Sequence, residues 1–148
     1  MYADWPVNLA VVTVTLAAVA ACVLTHYEGL SITSRKLARM HGVHRRSKVL
    51  YGIASVLILH VAEIWIFGLA TWMLLQWPSC GSLGPSVRHL FDVIYFSAST
   101  YTTVGYGDLA PTGPIRFLSG TEALAGFVML TWSASFTYLE MERFWRPA

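Results

Sequence analysis

The sequence predicts an all-α membrane protein with three transmembrane helices. Of its 148 residues, 55% are hydrophobic and only 12% are charged, whereas soluble domains carry about 25% charged residues. Three stretches are apolar over at least the roughly 20 residues that a helix needs to cross a hydrocarbon core. This composition argues against a soluble enzyme and a disordered chain. The net charge of only +2 argues against a nucleic-acid-binding protein.

The first predicted span is the uncharged stretch 5–25, and we assign residues 1–27 to a transmembrane helix at the periphery. An alternative is a cleaved signal, because small residues precede Cys22 as they do at a lipoprotein cleavage site. A secretory signal, however, has a positive segment ahead of its apolar run, and here the charged side chain in that place is Asp4. Cys22 is better explained as a small apolar side chain in the helix. It should lie far from Cys80, so no disulfide is expected.

Residues 28–48 form a predicted basic loop on the cytoplasmic side. They hold six of the ten Lys and Arg residues, namely Arg35, Lys36, Arg39, Arg45, Arg46 and Lys48. Because such an excess marks the cytoplasmic face, the N-terminus and residues 78–116 should lie outside and the C-terminus, with Arg143 and Arg146, inside. The segment 34–48 is either an ordinary positive-inside loop or an interfacial segment that binds anionic lipid.

The second predicted span, residues 49–77, contains two ionisable side chains, His60 and Glu63. Ionisable residues within a span are costly and are candidate functional sites by default. These two lie three positions apart on one helix face and can pair. The pair either fixes helix packing or acts as a proton-sensitive element, since burial shifts the pKa of such groups.

A short helix is predicted over residues 88–101, after a turn-rich segment with glycines and prolines. Its apolar side chains recur at helical spacing. With about 14 residues it is too short to cross the membrane. It is therefore a candidate re-entrant helix between the second and third spans.

The filter segment, residues 102–108, follows this helix and reads Thr102-Thr103-Val104-Gly105-Tyr106-Gly107-Asp108. Four TVGYG loops form the filter of potassium channels, where rings of backbone carbonyls replace the hydration shell of the ion. Alternating glycines allow positive φ at low cost, and the helix C-terminus presents partial negative charge to a cation. The Thr103 hydroxyl can add a ring at the inner mouth, and Asp108 can order the filter or concentrate cations outside. Val104 and Tyr106 should brace the loop against the short helix.

Residues 88–144 resemble the pore module of prokaryotic two-transmembrane potassium channels, which with the outer helix 49–77 extends over residues 49–148. The whole chain resembles small three-transmembrane bacterial potassium-channel-like proteins. The resemblance implies a tetramer of identical subunits in the plasma membrane, with K⁺ as permeant ion and no other cofactor. It places K⁺ at the carbonyls of Thr103, Val104, Gly105 and Tyr106, with Gly107 completing the filter.

The resemblance also implies roles for residues around the filter. Tyr95 and Phe96 occupy the place of two aromatic residues on the pore helix, and Ser99 stands where some members have a glutamate. In the inner helix, residues 116–141, Gly126 falls at a flexible hinge, although close helix packing explains a small residue equally well. Alignment to that glycine predicts a cavity lined by Leu130, Thr131, Ala134, Ser135 and Tyr138.

Glu122 is the one acidic residue within the apolar part of the third span, residues 117–139. It should lie at the level of the short helix, where Ser97 and Thr100 offer hydroxyl groups. We expect a hydrogen bond from one of them to support the filter.

These features predict a potassium-selective channel that passes K⁺ passively. The alternatives are a weakly selective cation channel and a non-conducting regulatory subunit, and the intact filter segment argues against both. An enzyme is the least favoured class, because the sequence shows no nucleophile–base set or metal cluster. No span carries an arginine at every third position, so a voltage sensor is not expected. Gating by protons, lipid or tension and a constitutive leak are all compatible with the sequence.

Overall fold

The computed structural model describes residues 4–40 and 42–145. Over these residues the chain is helical apart from its connections, with one isolated antiparallel bridge between Ser82 and Thr112. The all-α class is thereby confirmed for the described residues, whereas Arg146 lies outside them. The elements are the helices α1 (Trp5–Arg39), α2 (Arg45–Leu75), α3 (Leu90–Tyr101) and α4 (Arg116–Trp145), with 3₁₀ turns at Pro78–Cys80 and Gly113–Ile115.

Helix α1 is longer than the sequence predicts. It spans 35 residues, about 52 Å at 1.5 Å per residue, and its buried face continues past residue 27 through Leu30, Thr33 and Leu37. Residues 28–39 are therefore helical, so the predicted loop 28–48 is wrong over most of its length. The connection between the helices lies between Arg39, where α1 ends, and Arg45, where α2 begins. The excess of Lys and Arg indicates a membrane side, but it does not end a helix when packing of every third or fourth residue favours its continuation.

Helices α1 and α2 are the two described helices that are long and apolar enough to cross a membrane by length and composition. One face of α1 is buried along its whole length, with residues spaced three and four apart, while Leu9, Leu16 and Leu24 on the other side are exposed. This face packs against both α2 and α4, and α3 packs between α2 and α4. The core thus contains side chains from all four helices.

Helix α3 begins two residues later than the predicted 88–101. The carboxylate of Asp92 accepts hydrogen bonds from the backbone amides of Arg88 and His89, each at 2.8 Å. These two amides would have no partner in the first turn of a helix. Because Asp92 satisfies them from within the helix, residues 88 and 89 stay outside it, with His89 in an extended conformation.

The segments that precede α3 and α4 are fastened to each other. Ser82 and Thr112 exchange two backbone hydrogen bonds, of 3.3 and 2.8 Å. Gly81 has φ +123°, and a Cβ there would lie 1.9 Å from the Thr112 carbonyl oxygen. Glycine is required because the backbones approach closely with positive φ. The contact joins the two ends of the chain segment between α2 and α4 that contains α3 and the filter segment.

Candidate functional site

The filter segment has positive φ at every second residue. The values are +61° at Thr103, +55° at Gly105 and +82° at Gly107. Glycine adopts such angles readily, whereas Thr103 is the one described non-glycine residue that does so. A threonine in this conformation is held there by its surroundings.

Hydrogen bonds fold the filter segment back along the end of α3. The amide of Thr103 donates to the Thr100 carbonyl at 2.9 Å, and the amide of Gly105 donates to the Ser99 carbonyl at 3.0 Å. The Thr102 hydroxyl donates to the Ala98 carbonyl at 2.8 Å. The last turn of α3 thus supports the first half of the filter segment through its own carbonyl groups.

Two aromatic rings support the other half. Tyr106 stacks on Tyr95 of α3, with ring centroids 6.1 Å apart and planes 8° from parallel. Phe96, the neighbouring aromatic residue, is buried in the core beneath. Tyr106 therefore lies against the short helix, as the sequence predicts.

The filter segment is otherwise uncovered within one chain. All residues from 103 to 108 are exposed, including Val104 at 57% and Tyr106 at 69%. The Val104 side chain, expected to brace the loop against the short helix, is thus more than half uncovered within one chain. An exposed valine next to an exposed aromatic ring is the kind of apolar surface that an assembled protein covers.

A buried polar cluster lies beside the last residue of α3. Its centre is Glu63, whose Oε1 lies 2.7 Å from His26 Nδ1 and whose Oε2 lies 2.9 Å from His60 Nδ1. The Tyr101 hydroxyl donates to the same Oε2. The predicted pairing of His60 with Glu63 is confirmed, and His26 and Tyr101 join it from α1 and α3.

The same cluster contains three side chains of types that bind metal ions. Ligand atoms of His26, His60 and Glu63 lie within 4.8 Å of one another. Two ligands of one tetrahedral zinc ion are roughly 3.3 Å apart, whereas the nitrogen–oxygen distances here are 2.7 and 2.9 Å. The arrangement fits direct hydrogen bonds between imidazole and carboxylate better than a shared metal ion.

Glu122 of α4 contacts one of the two hydroxyl groups that the sequence offers it. Ser97 Oγ is hydrogen-bonded to Glu122 Oε1 and lies 2.8 Å from the Ile64 carbonyl oxygen. Both Ser97 and Glu122 are fully buried. The contact joins α2, α3 and α4 about one turn before the end of α3.

Gly126 is required for close packing of α4 on the end of α3. A Cβ at this position would lie 1.9 Å from the Tyr101 carbonyl oxygen and 2.9 Å from its ring. Of the two explanations that the sequence leaves open, helix packing has direct geometric support.

The predicted cavity residues divide between two surroundings. Leu130, Ala134 and Tyr138 line an open groove between α2 and α4, together with His60 and Ser133. Thr131 and Ser135 are exposed, and their hydroxyls donate to backbone carbonyls of α4 at 2.9 and 3.1 Å. Within one chain these residues follow one helix without enclosing a cavity.

Comparison with known protein families agrees with this geometry. The family model described as ion channel matches residues 49–139, which include α2, α3, the filter segment and most of α4. The chain belongs to the ion-channel family. Its place is in a membrane, its class is transport rather than enzymatic catalysis, and the family implies an oligomeric assembly.

Three curated relatives are similar to this ion-channel chain over about half to two thirds of its length. Protein LctB of Geobacillus stearothermophilus is 35% identical over 104 residues, which cover 67% of this chain and 78% of LctB. Protein LctB of Bacillus caldotenax is 33% identical over 104 residues, which again cover 67% of this chain and 78% of that protein. The inward rectifier potassium channel Kirbac3.1 of Paramagnetospirillum magnetotacticum is 38% identical over 76 residues, 49% of this chain and 25% of that protein. No solved structure shows a significant match.

Sequence reasoning missed two members of the polar cluster in this ion-channel chain. His26 directly follows the uncharged stretch 5–25, and it continues the buried face of α1 between Cys22 and Leu30. Tyr101 stands out in the sequence only as the last residue of the predicted short helix. Extending the three-and-four spacing of α1 would have placed His26 on its buried face.

Proposed function

We propose that this ion channel is a homotetramer that passes K⁺ selectively and passively through the filter segment. The observation that carries the proposal is the positive φ at Thr103, Gly105 and Gly107 within the TVGYG sequence. Backbone carbonyls of four such loops replace the hydration shell of K⁺ in potassium channels. The carbonyl groups of Thr103, Val104, Gly105 and Tyr106 are the proposed ion ligands. The similarity to a protein named as an inward rectifier potassium channel supports this ion.

The exposure of the filter segment supports the tetramer. A loop with irregular backbone is tolerated at membrane depth only where protein buries it or water lines it. In one chain the side chains of Val104 and Tyr106 are more than half exposed. Three further subunits would cover these outer side chains and leave the carbonyl groups facing a shared axis.

The proposed topology has three spans with α3 as a re-entrant helix. The 30 residues of α4 extend about 45 Å, which is long enough to cross the hydrocarbon core, and we place α4 as the third span although it is less apolar than the two helices that meet the test of length and composition. The basic residues around the connection between α1 and α2 then lie inside, with residues 78–116 outside. At the cytoplasmic surface this basic region is suited to contact anionic lipid. The groove lined by Leu130, Ala134 and Tyr138 would face the inner cavity.

Potassium flux from liposomes that contain the purified protein tests the proposal. We expect K⁺ flux that Ba²⁺ blocks and that Na⁺ does not replace, from a protein that cross-links as a tetramer. The control is a double variant, Gly105→Ala with Gly107→Ala, which places Cβ atoms at two positions of positive φ and should abolish flux without dispersing the tetramer.

Two other results would favour the alternatives. Equal K⁺ and Na⁺ flux would indicate a weakly selective cation channel. No flux at several pH values, with and without anionic lipid, would indicate a non-conducting regulatory subunit.

A further inference from the structure

The buried polar cluster of His26, His60, Glu63 and Tyr101, called the Glu63 cluster below, joins α1 to the start of the filter segment. Glu63 of α2 accepts from His26 of α1 at 2.7 Å and from the Tyr101 hydroxyl of α3. The other ring nitrogen of His26, Nε2, lies 3.5 Å from the Ser133 hydroxyl of α4. The centroid of the His26 ring lies 5.0 Å from that of Trp132. One carboxylate and one imidazole therefore connect all four helices.

Tyr101 carries this connection to the filter segment. It is the last residue of α3, and the next residue, Thr102, begins the filter segment. The Tyr101 hydroxyl donates a hydrogen bond to the Glu63 carboxylate, and the Tyr101 backbone carbonyl packs against Gly126 of α4. The amide of Thr103 is bonded to Thr100, on the other side of Tyr101 in sequence. Movement of Tyr101 would therefore displace the inner end of the filter segment.

The cluster is fully buried, so each of its hydrogen bonds contributes to the stability of the helix packing. His26, Glu63 and Tyr101 have no exposed surface. A carboxylate in such surroundings is costly unless donors surround it, and the loss of one donor from a buried network costs more than the loss of one at the surface. Two of the three donors to Glu63 come from other helices, so the carboxylate fixes α1 and α3 relative to α2.

We propose that His26 and Glu63 are positioning residues for the inner end of the filter segment. Through His26, helix α1 then contributes to the selectivity of conduction. The inference rests on the proposed function, because it assigns these residues to selective conduction. It differs from the predicted role of the first helix, which is that of a transmembrane helix at the periphery.

The decisive test compares Tyr101→Phe with Tyr27→Phe. The first removes only the hydroxyl that donates to Glu63, whereas Tyr27 is an exposed tyrosine of α1 next to His26. In tetramers of normal stability, we expect Tyr101→Phe to raise the Na⁺-to-K⁺ permeability ratio by about tenfold, the factor that corresponds to one hydrogen bond to a charged group. Tyr27→Phe should leave the ratio unchanged. Glu63→Gln should also raise it, with exposed Glu28→Gln as its control.

A rescue series separates positioning from bulk packing. His26→Ala should raise the permeability ratio because it removes one of the three donors to Glu63. His26→Asn keeps an amide donor near the position of Nδ1 and should restore selectivity, whereas His26→Gln places its amide near Nε2, toward Ser133, and should not. This pair decides the matter if Tyr101→Phe does not assemble.

The outcomes separate this inference from the proposed function. Selective K⁺ flux by the wild type, with the same permeability ratio in assembled Tyr101→Phe and His26→Ala, would overturn this inference alone. Loss of assembly in every cluster variant would show a purely structural role and would also overturn it. Absence of selective flux in the wild type would overturn both.

Discussion

At the scale of single residues, Thr103 adopts a conformation that its side chain disfavours. Its φ of +61° lies in the left-handed region, which costs a non-glycine residue roughly 1–2 kcal/mol. The hydrogen bonds of its own amide and of Gly105 to the end of α3 offset this cost. The position keeps a threonine, and under the proposed function its hydroxyl supplies the innermost oxygen ring.

Gly126→Ala should destabilise the protein, because the added Cβ would lie 1.9 Å from the Tyr101 carbonyl oxygen. Overpacking of this kind costs roughly 1–3 kcal/mol, and the thermal midpoint of the detergent-solubilised protein should fall. Gly120→Ala in the same helix is the matched control, since a Cβ there meets nothing within 4 Å. Equal stability of the two variants would contradict the packing explanation and leave the hinge as the better one.

Glu122→Gln should spare conduction. The amide of glutamine has the same shape as the carboxyl group and retains an oxygen to accept from Ser97, so the contact between α3 and α4 persists. Glu122→Ala removes the contact between α3 and α4 and leaves a void in place of a fully buried side chain, so it should lower stability. Potassium flux and chemical denaturation measure the two effects. Complete loss of flux in an assembled Glu122→Gln variant would show that the carboxyl group has a role beyond support.

At the scale of elements, the start of α3 depends on Asp92. The amides of Arg88 and His89 lower the pKa of Asp92 below its usual value. The stabilisation is therefore complete above the ordinary pKa of an aspartate and is lost as the pH falls through the lowered pKa.

Hydrogen exchange of the two amides measures this effect. Protection of residues 88 and 89 should persist at pH 5 and disappear only in more acidic solution, and Asp92→Ala should remove it at every pH. Protection that is the same in Asp92→Ala as in the wild type would contradict the role of the carboxylate.

The elements show where sequence reasoning succeeds. The short helix was predicted to within two residues because turn-forming residues precede it and the glycines of the filter segment follow it. The predicted end of α1 lies a dozen residues too early, because the basic residues after position 27 predict a loop, whereas buried Leu30 and Leu37 continue the helix by packing on their neighbours. Tertiary packing, which a local pattern does not contain, decided that boundary.

At the scale of the whole molecule, the two parts of the candidate site differ in how far the sequence predicts them. The filter segment is seven consecutive residues, so its residue types and the glycine conformations follow from local chemistry. The Glu63 cluster joins His26 and Tyr101, which lie 37 and 38 positions away from Glu63. Only the packing of α1, α2 and α3 brings them together, and the sequence revealed just the local pair of His60 and Glu63.

Under the proposed function, assembly of four subunits explains why one chain leaves the filter segment uncovered. The described chain buries the end of α3 thoroughly but exposes the residues from 103 to 108. A folded support that carries an exposed loop is the expected form of one quarter of a symmetric pore. The whole-molecule claim is therefore that selectivity arises only when four copies meet.

The reversal potential of the reconstituted channel tests that claim most directly. With K⁺ on one side of a planar bilayer and an equal concentration of Na⁺ on the other, the account predicts a large reversal potential of the sign that K⁺ selectivity requires, together with block by Ba²⁺. A reversal potential near zero, in a protein shown to be tetrameric in the same preparation, would contradict it.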